Sequence, residues 1–162
     1  MTSHADELRS QLIRNFNAVP LERQQRAPLY DTMCGDVSDG TVASQLGAGF
    51  DILAPGMRSC PYHFHHAQEE MFVVIEGEGT LRVAGERLPV KAGDVVFIPP
   101  GPQYPHQFIN TSPAPMKYLS IGTQQRPEIC QYPDSGKFAA YDKGFSAIQR
   151  GDASLDYWAG EP

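Results

Sequence analysis

No apolar run in this chain approaches the ~20 residues that a membrane-spanning helix needs. Cysteine is scarce as well. Cys34, Cys60 and Cys130 are odd in number, far apart, and never in a C-x-x-C pair. That pattern argues against a disulfide framework and for a reducing, cytoplasmic compartment. Basic residues are outnumbered, thirteen lysines and arginines against nineteen acids, which leaves a formal net charge of −6. A chain of that sign lacks the basic face that gives sequence-independent affinity for nucleic acid. It also has no attraction to an anionic membrane surface. There is no Walker-type phosphate loop, because "PDSGK" lacks the leading glycine and the following helix. No G-x-S-x-G elbow occurs. The opening "MTSHADELRSQLIRNF" mixes acids and bases and does not read as a secretion signal.

Helical periodicity is nearly absent too. Residues 5–16 alone carry it, with Leu8, Leu12, Ile13 and Phe16 on one stripe. This predicts a short helix packed on the body of the protein or on a partner subunit. With no second helix beside it, it is no helix-turn-helix.

What the chain has is a β pattern. Short apolar runs such as "GFDILA", "MFVVIEG", "GTLRVAG", "DVVFIPP" and "KYLSIG" are punctuated by Gly, Pro and Asp from about residue 28 to 123. Regular short strands with turn signals between them predict a sandwich or barrel. "VAGERL" reads as a hairpin turn around Gly85. The 162 residues fit one body, divided into an N-terminal arm with a short helix (1–27), a barrel (28–140) and a C-terminal tail (141–162). Tyr157 and Trp158 predict that the tail docks on the barrel or a partner.

The chemistry concentrates in "PYHFHHAQEEMFVVIEGEG", residues 61–79. His63 and His65 are two apart and share a strand face. His66 then points away or lies in the turn. A hairpin would bring Glu70 opposite the two histidines and turn Glu69 outward. His106, in "PPGPQYPHQFIN", is the fourth candidate. Such a set suits one divalent first-row metal, iron, manganese, nickel, cobalt, copper or zinc, which ligand type does not separate. Each histidine also has a plainer reading as a satisfied strand residue. Cys60, at an odd offset from His63, points to the other face.

The stretch from 56 to 77 resembles the first signature of the cupin superfamily: Gly56, then His63 and His65, Glu70 after four residues, Gly77 after six more. Gly93-Asp94, Pro99-Pro100-Gly101, His106 and Asn110 resemble the second signature in order. The gap from Gly56 to His63 is one residue longer than usual. That from Gly101 to His106 is two longer, so Tyr104 stands at the nominal histidine position. His106 keeps the three-residue spacing to Asn110. The resemblance implies an all-β, jelly-roll-like double-stranded β-helix with His63, His65, Glu70 and His106 on the metal inside one end. It also implies a homodimer and a small-molecule ligand or substrate. The expected function is a metal-dependent enzyme on a small organic acid or carbonyl compound, by oxygenation, decarboxylation, isomerisation or hydrolysis, with Glu70 as a candidate base. The alternative is a non-catalytic binding or sensor module.

Overall fold

A computed structural model describes residues 2–152 and 154–161. Among these residues thirteen strands, numbered in chain order, form three antiparallel sheets. The largest runs β1 (Glu22–Arg26), β2 (Tyr30–Asp36), β3 (Leu46–Leu53), β10 (Met116–Thr123), β5 (Glu70–Glu76) and β8 (Val95–Ile98). A second is β7 (Glu86–Lys91), β6 (Glu78–Val83) and β9 (His106–Ile109). The third is β13 (Phe145–Arg150), β12 (Lys137–Asp142), β11 (Glu128–Tyr132) and β4 (Phe64–His65). Among the described residues the molecule is mostly β, in a jelly-roll-like arrangement, with one short α-helix and one 3-10 turn (Phe16–Ala18). Strand pairing continues on both sides of residues 28–140, through β1 and β13.

The core lies between the first two sheets. Leu53, Phe72, Val74, Ile98, Met116 and Tyr118 from the large sheet meet Leu81, Val90 and Phe108 from the small one. Strand alternation sorts β3 in the same way. Leu53 enters the core and Asp51 and Gly49 face the cavities described below, while Phe50 points outward. Phe50 is still buried, because Phe16 packs on it with ring centroids 5.1 Å apart. The "VAGERL" turn is a two-residue hairpin loop, with Val83 opposite Glu86 and both Ala84 (φ 50°) and Gly85 (φ 85°) in the left-handed region. That geometry matches the right-handed strand twist, and for Ala84 it is a strained one.

The helix α1 spans His4–Leu12 and begins with a capping box between Ser3 and Asp6. Of the two expected packings, that on the body of the protein is not made: no helix residue is buried, and Leu8, Leu12 and Ile13 are exposed, because only Phe16 of the four reaches the barrel. The segment is tethered by polar groups instead, with the Arg14 guanidinium donating to the Gly40 carbonyl at 2.7 Å. Tyr157 and Trp158 are likewise exposed and meet edge to face, with ring centroids 4.9 Å apart. Among the described residues no helix is long and apolar enough to cross a membrane.

Candidate metal centre

The expected hairpin between the histidine strand and the Glu70 strand does not form. β4 pairs with β11, with His65 opposite Cys130, so it belongs to a different sheet from β5. Glu70 opens β5 and His106 opens β9. His63 reaches His106 through paired backbone bonds of 3.2 and 2.8 Å. The four side chains therefore converge from three sheets.

Each imidazole is held through Nδ1. His63 Nδ1 lies 2.9 Å from the Pro61 carbonyl, His106 Nδ1 3.2 Å from the Tyr104 carbonyl, and His65 Nδ1 3.2 Å from Glu128 Oε1. These oxygens only accept, so each Nδ1 carries the hydrogen and each Nε2 presents a lone pair. All three Nε2 atoms face Glu70 Oε2, at 3.0 Å for His106, 3.4 Å for His65 and 4.0 Å for His63. His106 Nε2 and Glu70 Oε2 are buried and, in spite of their closeness, make no well-aligned hydrogen bond. Two acceptors at that separation need a cation between them, a proton or a metal ion. Ligands about 2.1 Å from one ion at right angles lie about 3 Å apart, so the set fits a first-row divalent metal.

The charges agree. Burial works to raise the Glu70 pKa, but the imidazoles of His106, His65 and His63 outweigh it and hold the carboxyl below its usual range. Burial lowers His65, outweighing the attraction of Glu70 and Glu128, which favours the neutral form that binds metal. His66 and Glu69 are exposed and stand outside the cluster. Cys60 approaches His63 at Nδ1, 3.7 Å away, and burial pushes its thiol up to about 12.

Two residues escape sequence reasoning. Cys130 brings its sulfur within 4.8 Å of ligand atoms of His63 and His65, and burial pushes it up to about 12. Glu128 is 1% exposed and orients His65. Its carboxylate also accepts the backbone N–H groups of His66, Ala67 and Gln68 at 2.9, 2.9 and 3.0 Å, which shapes the link between β4 and β5. Nothing local in "RPEICQ" marks that role.

A chamber of about 290 Å³ opens beside the cluster, bordered by His63, Glu70, His106, Phe72, Phe108 and Tyr118, with Asp51 and Ser120 beyond them. An outer groove of about 840 Å³ shares Gln24, Cys34, Asp51, Glu70 and Ser120 with it. The two make one passage from the surface to the imidazoles. Its floor passes Gly49, where an added Cβ would stand 2.7 Å from Ser120 Oγ, so only glycine leaves that hydroxyl in place.

Residues 49–122 match the family described as Cupin domain. The chain is 34% identical over 71 residues to an uncharacterized protein of Methanocaldococcus jannaschii, covering 44% of this chain and 48% of that one. It is 33% identical over 69 residues to the oxalate-binding protein of Thermotoga maritima, covering 43% and 54%. The matches thus span about half the length of these relatives. A crystal structure from Silicibacter pomeroyi, described as a sugar phosphate isomerase from a cupin superfamily, superposes with a TM-score of 0.78 at 26% identity, covering 90% of this chain and 97% of that one.

Proposed function

The chain belongs to the cupin superfamily, and on that premise we propose that it is a metal-dependent enzyme acting on a small organic acid or carbonyl compound. His63, His65, Glu70 and His106 hold one divalent transition metal, drawn from iron, manganese, nickel, cobalt, copper and zinc. One observation carries this reading. Nε2 of His106 and Oε2 of Glu70 are buried, unpartnered and 3.0 Å apart, with two further bare Nε2 atoms beside them, at the foot of a passage open to solvent.

Such an ion, when bound, supplies Lewis acidity toward a carbonyl or hydroxyl oxygen and leaves coordination positions for it. The chain's own residues do the rest. Pro61, Glu128 and Tyr104 fix the imidazole planes through Nδ1. Phe72 and Phe108 keep the inner wall of the chamber apolar. Glu70 stands where chamber and groove join and is the ligand placed to take a proton from substrate. Among oxygenation, decarboxylation, isomerisation and hydrolysis, the likeness to the Silicibacter isomerase over most of both chains supports isomerisation. The likeness to the Thermotoga oxalate-binding protein supports a second reading, a barrel that binds without turnover. A cytoplasmic homodimer completes the proposal, and the three free thiols support the reducing compartment.

The test is metal content of protein purified without a metal-binding tag. Wild-type protein is expected to carry one ion per chain and His65→Ala none in stoichiometric amount. One ion per chain in His65→Ala would show that the ligand assignment is wrong.

A further inference from the structure

We propose that Asp51 is a second acid–base group of this site, acting on an uncharged carbonyl compound held between it and the metal centre. This rests on the metal-enzyme reading and goes beyond it in naming a proton-transfer residue and the charge class of the substrate.

The first support is position. Asp51 and Glu70 are the two acids that border both chamber and groove. The second is what Asp51 lacks. Glu128, a carboxylate serving structure, takes three backbone N–H groups and an imidazole. Asp51 receives one hydroxyl, Ser120 Oγ at 3.0 Å. The titratable groups that share its cavities include Cys34 on β2, Glu22 on β1, Tyr118 on β10, Cys60, Glu70 and the imidazoles of His63 and His106, with no lysine or arginine among them. A buried carboxylate with a single donor is costly for the fold, and proton transfer is where such groups are retained. Burial pushes Asp51 up to about 6, with Ser120 opposing, which suits a group that exchanges a proton near neutral pH. A further sign of a ligand is Thr32, 4% exposed, whose Oγ1 borders the chamber without a partner.

Charge selects the substrate. The ionisable carboxyls along the passage are Glu22, Asp36, Asp39, Asp51 and Glu70, and among its described residues there is no lysine or arginine. A phosphate or carboxylate entering here meets like charge from the groove to the edge of the metal centre. A neutral hydroxy-carbonyl compound does not. Asp51 takes the proton from the carbon beside the carbonyl, and Glu70 handles that of the neighbouring hydroxyl. The C–H electron pair enters the carbon–carbon bond and the carbonyl pair withdraws onto oxygen. Return of the proton to the same carbon gives exchange. Return to the former carbonyl carbon, with the hydroxyl proton passing to the other oxygen, gives isomerisation. No electrons leave the substrate and no co-reactant is consumed.

The experiment follows deuterium uptake from D2O into dihydroxyacetone by proton NMR, with metal content measured on the same samples. Metal-loaded wild type should exchange the carbon-bound hydrogens, with a rate rising as pH passes about 6. Asp51→Asn should keep its metal and lose exchange at least hundredfold, within the range that general acid–base groups supply; Asp51→Ser is the second variant should the first not fold. Calorimetry should show dihydroxyacetone phosphate binding at least tenfold more weakly than dihydroxyacetone. A smaller loss in a metal-bearing variant, phosphate binding as tight, or no exchange by metal-loaded wild type overturns this proposal alone. Wild type that takes up no metal overturns the metal-enzyme reading with it.

Discussion

Asp51 also sets a stability prediction that needs no substrate. Its folded pKa, about 6, lies above the ordinary carboxylate range. Its favourable contribution is therefore present below its unfolded value, near pH 4, and is lost as pH rises through 6. Above that, the ionised group strains the fold by about 1–3 kcal/mol. Asp51→Asn should accordingly be more stable than wild type by about that amount at pH 8 and nearly equal at pH 4. Urea unfolding at the two pH values reads this directly, and a variant less stable at pH 8 would show that the bond to Ser120 is structural. Glu70 has the opposite sign. Its depressed pKa stabilises the metal-free fold at neutral pH, and that contribution fades as pH falls through the acid range.

At the scale of elements, the link between β4 and β5 depends on one carboxylate. Glu128→Ala would leave the backbone N–H groups of His66, Ala67 and Gln68 without their acceptor. A loss of about 3 kcal/mol or more is expected, since each buried donor so stranded costs about 1–3 kcal/mol. Glu128→Gln should bind metal about 10- to 100-fold more weakly, because His65 loses its anionic partner. Thermal melting and competition with a chelator measure the two effects, and an alanine variant that melts with wild type would remove Glu128 from this role. The contrast with the histidines shows what sequence carries. Parity put His63 and His65 on one face and His66 outside, whereas Glu70 was reached through the cupin-signature spacing and not through the hairpin, which does not form. Parity works because strand alternation is local. The hairpin turn at Ala84-Gly85 was legible for the same reason. The pairing of β4 with β11 was not, since its partner lies more than sixty residues on and short apolar strands do not name their neighbours. Glu128 shares that fate. The periodicity of α1 announced a helix, but periodicity alone does not say what covers its stripe.

For the whole molecule, apolar side chains remain uncovered on both arms and on two sheet edges. Leu12 and Ile13 in the N-terminal arm, Val95 and Phe97 on β8, Phe145 and Ile148 on β13, and Trp158 in the tail are all exposed. Bare edges of this kind invite pairing with another chain. Sedimentation equilibrium at micromolar concentration should give twice the 17.8 kDa of one chain; a mass of one chain would sink the dimer. Trimming to residues 19–152 keeps every strand and should yield monomer if the arms join the subunits.

The convergence of the candidate ligands from three sheets bears on when an ion can be acquired and how long the protein lasts. His63 and His65 are neighbours in any chain conformation, but Glu70 and His106 join them only after the sheets have docked. If these four side chains are the ligands, uptake is the last event of assembly and the ion binds the folded state alone. Free metal at a hundred times its dissociation constant would add about 2.7 kcal/mol to the free energy of opening. That corresponds to about a hundredfold longer survival against a protease that cuts the open chain. Digestion with and without a chelator should show that difference, and equal half-lives would show that the ion is no clasp. With such a clasp, the abundance of this protein in a cell would follow its metal supply.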